Sequence, residues 1–309
     1  MSDMTVPAPI NDGSGLQPRL RLDLNLVTLW GLPDDSIVPR GDALPAGLRA
    51  AGFEAAQSDD AARAARLGLR AVGQGRIDRP MDADRLAREN AAAGCDATTV
   101  HAGTGLESDA EMDRLAAALL EASARHGHPI YLETHRATMT QDIRRTLDLV
   151  ERFPELRFNL DFSHWYTGHE FTYGDPDAKL RRIAPVLERV LYLHGRIGDS
   201  CCMQVDHEGR EDEPAVAHFR TAWTRAFAGF LRNAGAGDVV GFAPELLPAR
   251  ARLGDRAFRF DYARLVRDGV GGMREEGDRW TEALRLCRIA QECFEAAAAL
   301  AARPEEKAA

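Results

Sequence analysis

Lysine is nearly missing from this chain: among 309 residues it stands only at Lys179 and Lys307, both in patterns that read as helix surface or tail. Schiff-base chemistry needs a desolvated lysine in a pocket, and neither position offers one. Cysteine is sparse as well, with five residues, no C-x-x-C pair, and Cys287 and Cys293 set inside a helical pattern. The odd count and this placement argue against a disulfide framework and a thiolate zinc site, and adjacent Cys201 and Cys202 read as a plain loop. Positive charge is in deficit, with a formal net charge of -9 and a pI near 5.5. Such a chain repels a polyphosphate backbone and shows no basic stripe, so no nucleic-acid partner is expected and a small-molecule metabolite is the easier one.

Long apolar runs are absent too. No stretch approaches the ~18 residues of a membrane span, so no membrane partner is expected. The first twenty residues, with Pro7, Pro9, Asn11, Asp12, Gly13 and Gly15, lack the basic start and apolar core of a signal peptide. A cytoplasmic protein follows as the expectation. Residues 1–19 read as a flexible N-terminal arm, 20–303 as one catalytic domain and 304–309 as a disordered tail. No solenoid-length repeat occurs, and the only low-complexity piece is the alanine-rich end.

What is present is a regular alternation of strand and helix patterns. Strands are expected at 20–30, 52–57, 71–77 and 98–103, followed by four that end at Glu133, Asp161, His194 and Glu245. Helices intervene, one of them opened by the capping box Ser108-x-x-Glu111. Eight strand–helix pairs predict an α/β fold, a single-domain (β/α)8 TIM barrel. The lone Gly73-Gln-Gly75 lacks the third glycine of a dinucleotide fingerprint and reads as close packing. A charged, arginine-rich insertion, 249–279, follows the eighth strand on the catalytic face, where a lid or a subunit contact are the two readings. A homo-oligomer is compatible with the second.

The chemistry gathers where apolar runs stop. Arg157-Phe-Asn-Leu-Asp161-Phe-Ser-His164-Trp165 ends a buried-strand pattern in an acid, a hydroxyl, an imidazole and an indole. Pro129-Ile-Tyr-Leu-Glu133-Thr-His135-Arg136 precedes it, and Leu191-Tyr-Leu-His194-Gly-Arg196 and Val239-Val-Gly-Phe-Ala-Pro-Glu245 follow. Barrel active sites lie at the C-terminal strand ends. Glu133, Asp161, His194 and Glu245 on four consecutive ends make a ligand set for one divalent ion, with Mn2+ expected first and Mg2+, Co2+ or Zn2+ compatible. His101 closes the fourth strand, and His135 shares strand parity with Glu133. Trp30 and Trp165 either wall the pocket or fill the barrel top.

The order Glu, Asp-x-x-His, His, Glu resembles the xylose isomerase-like superfamily: sugar phosphate isomerases and epimerases, ketose 3-epimerases, inosose dehydratases and the endonuclease IV group. The resemblance covers about residues 20–300 in architecture and is sharp only from Glu133 to Glu245. It implies a metal held by Glu133, Asp161, His194 and Glu245. Glu133 and Glu245 would be acid and base, with His164 touching substrate. Arg196, Gln204, His101 and Trp165 are the further expected substrate contacts. Arg196 departs from the epimerase pattern by following His194 directly at i+2, and the lysine shortage argues against xylose isomerase itself. The endonuclease branch needs more ligands; His101, Asp206 and His207 could supply some, but no histidine closes the third strand.

The resemblance therefore implies a metal-dependent sugar isomerase or epimerase, moving a proton beside the carbonyl of a ketose or keto-sugar. The runner-up is a metal-dependent lyase or dehydratase, in which a β-substituent leaves after the same proton abstraction. A nuclease and a non-catalytic sugar-binding barrel stand behind both.

Overall fold

A computed structural model of the protein describes residues 8–253, 256–260 and 262–302. The strands are β1 (Ile10–Asn11), β2 (Arg19–Asn25), β3 (Ala55–Ser58), β4 (Arg70–Ile77), β5 (Thr98–Ala102), β6 (Ile130–Glu133), β7 (Phe158–Leu160), β8 (Val190–Gly195) and β9 (Asp238–Pro244). β2 to β9 pair in order and in parallel, and β9 also pairs with β8 and β2, closing an eight-stranded barrel. Part of the arm expected to be flexible is structured: Ile10 and Asn11 lie antiparallel to Val239 and Asp238, and Ile10 is buried. The expected tail, 304–309, lies outside the described residues.

The helices around the barrel are α1 (Leu44–Ala50), α2 (Ala61–Arg66), α3 (Pro80–Ala92), α4 (Asp109–His126), α5 (Ile143–Arg152), α6 (Phe162–Gly168), α7 (Pro176–Arg182), α8 (Ala184–Leu187), α9 (Pro214–Asn233) and α10 (Arg279–Ala301). Local chemistry sets their ends. Ser108 and Glu111 form the expected box, with the Ser108 amide donating to Glu111 Oε2 at 2.8 Å, and Gly127 ends the same helix at φ 56°. The fifth helix is capped by Asp142, whose carboxylate accepts from the Arg145 amide at 2.8 Å. Just before it, Thr140 donates its hydroxyl to the Glu133 carbonyl at 2.6 Å, a bond that ties the strand end down.

Alternation along β2 explains the interior. Leu20, Leu22 and Leu24 belong to the apolar shell between strands and helices, whereas Arg21, Asp23 and Asn25 share the opposite parity. Those three are buried and hydrogen-bonded to one another's neighbours across the barrel. Arg21 forms a fork on Asp23, at 2.7 and 2.8 Å, and reaches Asp96 at 2.6 Å. Tyr192 donates to Asp23 at 3.0 Å. One end of the barrel is thus filled by a polar network where most barrels stack branched aliphatics.

The insertion after β9 is folded. It comprises two hairpins, β10 (Arg250–Leu253) with β11 (Arg256–Arg259), and β12 (Leu265–Arg267) with β13 (Met273–Glu275). Between the hairpins the chain is pinned to the loop after β8: the Gln204 amide donates to the Tyr262 carbonyl at 3.0 Å, and the Arg264 amide returns to the Gln204 carbonyl at 2.8 Å. It roofs the barrel's C-terminal end.

Candidate active site

The four expected strand-end residues converge. Glu133, Asp161, His194 and Glu245 each offer a ligand atom, and those atoms lie within 4.8 Å of one another. Glu133, Asp161 and His194 are buried, while Glu245 keeps 16% side-chain exposure at the rim. Two carboxylate oxygens in this cluster, Glu133 Oε1 and Asp161 Oδ2, are buried without a hydrogen-bond partner of good geometry. Only ion-pair contacts from Arg196, His164, His101 and His194, at 3.1–3.4 Å, offset their burial.

Each ligand is aimed by a neighbour. Asp161 directly follows β7 and caps α6, so its Oδ1 is taken by the Ser163 amide at 3.0 Å and hydroxyl at 2.5 Å, and Oδ2 faces the centre. Glu133 Oε2 accepts from Asn159 Nδ2 at 3.1 Å, and Glu245 Oε1 accepts from Asn25 Nδ2 at 2.9 Å. His194 Nε2 lies 2.8 Å from Gln57 Oε1, a carbonyl oxygen that can only accept, so Nε2 carries the proton. Nδ1 then faces Glu133 Oε1 and Glu245 Oε2, at 3.4 and 3.3 Å, and is the nitrogen left for a cation once its proton is released. Fixing the tautomer from behind is how metal-ligating histidines are held.

Asn25, Gln57 and Asn159 were not singled out from sequence. A signal existed for Asn159, which shares strand parity with Asp161 two residues on. No local pattern marks the other two as partners of residues 137 and 220 positions away.

Charge shapes the site further. Burial opposes ionisation of Glu133, but His101 and His194 overcome it and hold the group well below the usual carboxylate range. Burial also opposes Asp161, and Arg196 and His164 outweigh it in the same direction. Glu245 goes the other way: burial raises it despite His194 and Arg196. His194 is disfavoured as a cation by burial, yet Glu245 and Glu133 lift it to about 9. The two glutamates thus sit in environments that separate their proton affinities.

Of the expected substrate contacts, three face the cluster. Arg196 is buried, with Nη2 on Glu245 Oε2 and 3.3 Å from Asp161 Oδ2, while its Nε and Nη1 have no hydrogen-bond partner. His164 lies in the first turn of α6, because the strand has ended at Leu160. Its Nε2 is 3.4 Å from Asp161 Oδ2, and neither ring nitrogen makes a hydrogen bond. His101 Nε2 stands 3.1 Å from Glu133 Oε1. From the insertion, Tyr262 covers the group: its ring packs on His164 at 5.9 Å and lies under the guanidinia of Arg136 and Arg196, at 4.6 and 5.2 Å.

Two expected contacts have their polar groups engaged by backbone. Trp165 is fully buried and donates its indole N–H to the Thr140 carbonyl at 2.8 Å, so it wedges α6 beneath the loop after β6. Gln204 spends its side-chain amide on the Leu247 backbone, accepting at 2.9 Å and donating at 3.3 Å, and so staples two loops. Trp30 does line a cleft of about 230 Å3 beside Glu245, with Asn25, Gln57 and Phe260.

A closed parallel barrel with a carboxylate–imidazole cluster at its C-terminal strand ends defines the class: a (β/α)8 TIM barrel with a candidate metal centre. Solved structures resemble it. The chain is similar to a xylose isomerase-like TIM barrel protein from Mycobacterium smegmatis in complex with magnesium, at 12% identity over 90% of this chain and 97% of that one, with a TM-score of 0.52. A sugar phosphate isomerase/epimerase from Parabacteroides distasonis matches at 12% identity over 93% and 99%, TM-score 0.47. The probable 3-DHS dehydratase AsbF from Bacillus anthracis matches at 16% identity over 74% and 93%, TM-score 0.45. No family model matches the chain, and no curated protein does. No helix among the described residues is long and apolar enough to cross a membrane.

Proposed function

We propose that this protein is a divalent-metal-dependent isomerase or epimerase that moves a proton on the carbon beside the carbonyl of a ketose or keto-sugar derivative. The observation that carries the reading is the convergence of two buried oxygens that make no hydrogen bond, Glu133 Oε1 and Asp161 Oδ2, with His194 Nδ1 and Glu245. Three carboxylates and one imidazole suit Mn2+ first, with Mg2+, Co2+ or Zn2+ compatible. A bound ion would supply Lewis-acid polarisation of the substrate's carbonyl.

The protein's own groups do the rest. Glu133 and Glu245 close strands three steps apart round the ring, so their carboxylates reach a substrate held between them from different sides. One takes the carbon-bound proton, and the other returns a proton to the opposite face or to the neighbouring carbon. Arg196 turns its two unpartnered N–H groups, and His164 its free ring nitrogens, to substrate oxygens. Tyr262 and the roof exclude water above them.

The lyase reading keeps one observation in its favour. His164, with both nitrogens unpartnered and buried, could protonate a departing β-hydroxyl after the same first step. Incubating the Mn2+ protein with a panel of ketoses and keto-glycosides in deuterated water separates the two. Deuterium uptake at the carbon beside the carbonyl, without loss of water or aglycone, is the expected result. Product formed with loss of either group selects the lyase, and no exchange with any member removes both readings.

A further inference from the structure

On the outer wall of the barrel, α5 and α7 leave a cleft of about 410 Å3 between them. Its floor is apolar, made by the buried Leu147, Phe171 and Ile183 with the half-buried Ile143. Its rim is cationic: Arg144, Lys179 and Arg182 stand there with the imidazole of His169, against one acid, Asp142. None of the metal ligands or substrate contacts described above lines it. We propose that this cleft is a binding site for a small amphipathic carboxylate, its apolar body seated on the floor and its single negative charge held at the edge formed by Lys179 and Arg182.

The charge at that edge is not neutralised by the protein. Apart from Lys307, Lys179 is the one lysine of a chain that otherwise uses arginine. Its ammonium lies 5.3 Å from the centre of the Phe171 ring and donates to the His169 and Glu170 carbonyls, at 3.3 and 3.1 Å. Two of its three donors thus go to neutral groups, and one donor and the whole charge are left over. Neither Lys179 nor Arg182 pairs with a carboxylate among the described residues, whereas Arg144 is paired with Asp148 at 3.2 Å. The turn that Lys179 pins is strained, since Glu170, a residue with a Cβ, holds φ 43°. Such positions persist where their surroundings over-determine them, and they concentrate at ligand clamps and functional sites.

Size and polarity select the ligand class. Small-molecule sites are typically apolar clefts of ~300–1,000 Å3 with a few placed polar groups. The Asp142 carboxylate is occupied in capping α5, but its charge remains on the rim and disfavours a doubly charged head such as a phosphate. Phe171 also belongs to the aromatic cluster that supports α6, meeting Phe162 edge-on at 5.0 Å and stacking on Tyr166 at 5.9 Å. Asp161 caps that helix and His164 stands in its first turn, so the cleft adjoins the candidate active site from behind without opening into it. Binding here requires neither the metal nor the reaction proposed above.

The test is titration calorimetry of the full chain with octanoate, beside acetate and octan-1-ol as probes of the head and of the body alone. Octanoate should bind at about one site per chain and roughly tenfold or more tightly than either fragment. The double variant Lys179→Glu, Arg182→Glu should weaken it by about tenfold or more, because two attractions become repulsions, and Ile143→Ser should weaken it through the floor. Bound octanoate should also slow reductive methylation of Lys179, read by peptide mass spectrometry. Far-ultraviolet circular dichroism checks that each variant is folded. No octanoate binding, equal affinity for the alcohol or for acetate, unchanged affinity in the double variant, or a Lys179 that stays unprotected overturns the site.

Discussion

Replacing Arg21 by methionine isolates a charge inside the barrel. Arg21 is 2% exposed, grips both oxygens of the fully buried Asp23 and reaches Asp96. Asp96 keeps a second partner in Arg70, at 2.7 Å, so its loss is partial. Asp23 keeps only the Tyr192 hydroxyl at 3.0 Å. Removing one member of a buried pair typically costs ~3–5 kcal/mol, because the remaining charge is uncompensated. At roughly 2 °C per kcal/mol for a chain of this size, Tm should fall by about 6–10 °C in scanning calorimetry at pH 7. Adding Asp23→Asn removes the stranded charge while leaving an acceptor for Tyr192, and should recover at least half of the loss. The sign with pH is also fixed. Burial already raises Asp23 in the folded protein despite Arg21, and without Arg21 it rises further. A carboxyl raised on folding contributes stability below its unfolded value and loses it as pH climbs, so the Arg21→Met deficit should shrink toward pH 5. A single variant as stable as wild type, or a double variant no better than the single, would refute the reasoning.

Asp161→Ala and His194→Ala should each abolish the manganese occupancy measured after dialysis; full content in both would remove the four-residue site. His164→Ala should keep the metal and lose activity, whereas metal loss would make His164 a ligand. Glu133→Gln and Glu245→Gln should keep substantial manganese while turnover falls by ~100-fold or more, as general-base removal usually does; wild-type rates with metal bound would move proton transfer to another group, His164 first. Glu282, raised to about 8 by burial and the neighbouring Asp206 against the pull of Arg285, should cost stability as pH rises from its unfolded value toward 8. Glu282→Gln should flatten that slope in calorimetric scans between pH 5 and 8, and an unchanged slope would show that Glu282 is not the group responsible.

The barrel and the four-residue cluster were legible because both are written in single strands. A run such as Leu191-Tyr-Leu that stops on His194 states its burial and its exit in consecutive letters. Asp161 shows where that reading fails. It follows β7 directly and at once caps α6, so Phe162–Gly168 forms a helix that the strand pattern leading into it does not announce. On that helix the Trp165 indole turns to the Thr140 carbonyl, an orientation that strand parity does not give. Gln204 and Tyr262 belong to partnerships formed across 43 and 98 positions, or more, and nothing local to either names its partner. The insertion's role also waited on the fold, since only the pairing of Gln204 with the chain around Tyr262 makes it a roof over the site.

The unequal shelter of the two glutamates has an isotopic consequence. Glu245 stands at the rim of the cleft with 16% of its side chain open, whereas Glu133, behind His194, has 4%. On the proposed reading, a proton lifted onto Glu245 would meet water directly, whereas one lifted onto Glu133 could exchange with solvent only through the His101 imidazole beside it. Such a protein would forget its substrate's hydrogen faster in the direction of the reaction that starts at Glu245 than in the one that starts at Glu133.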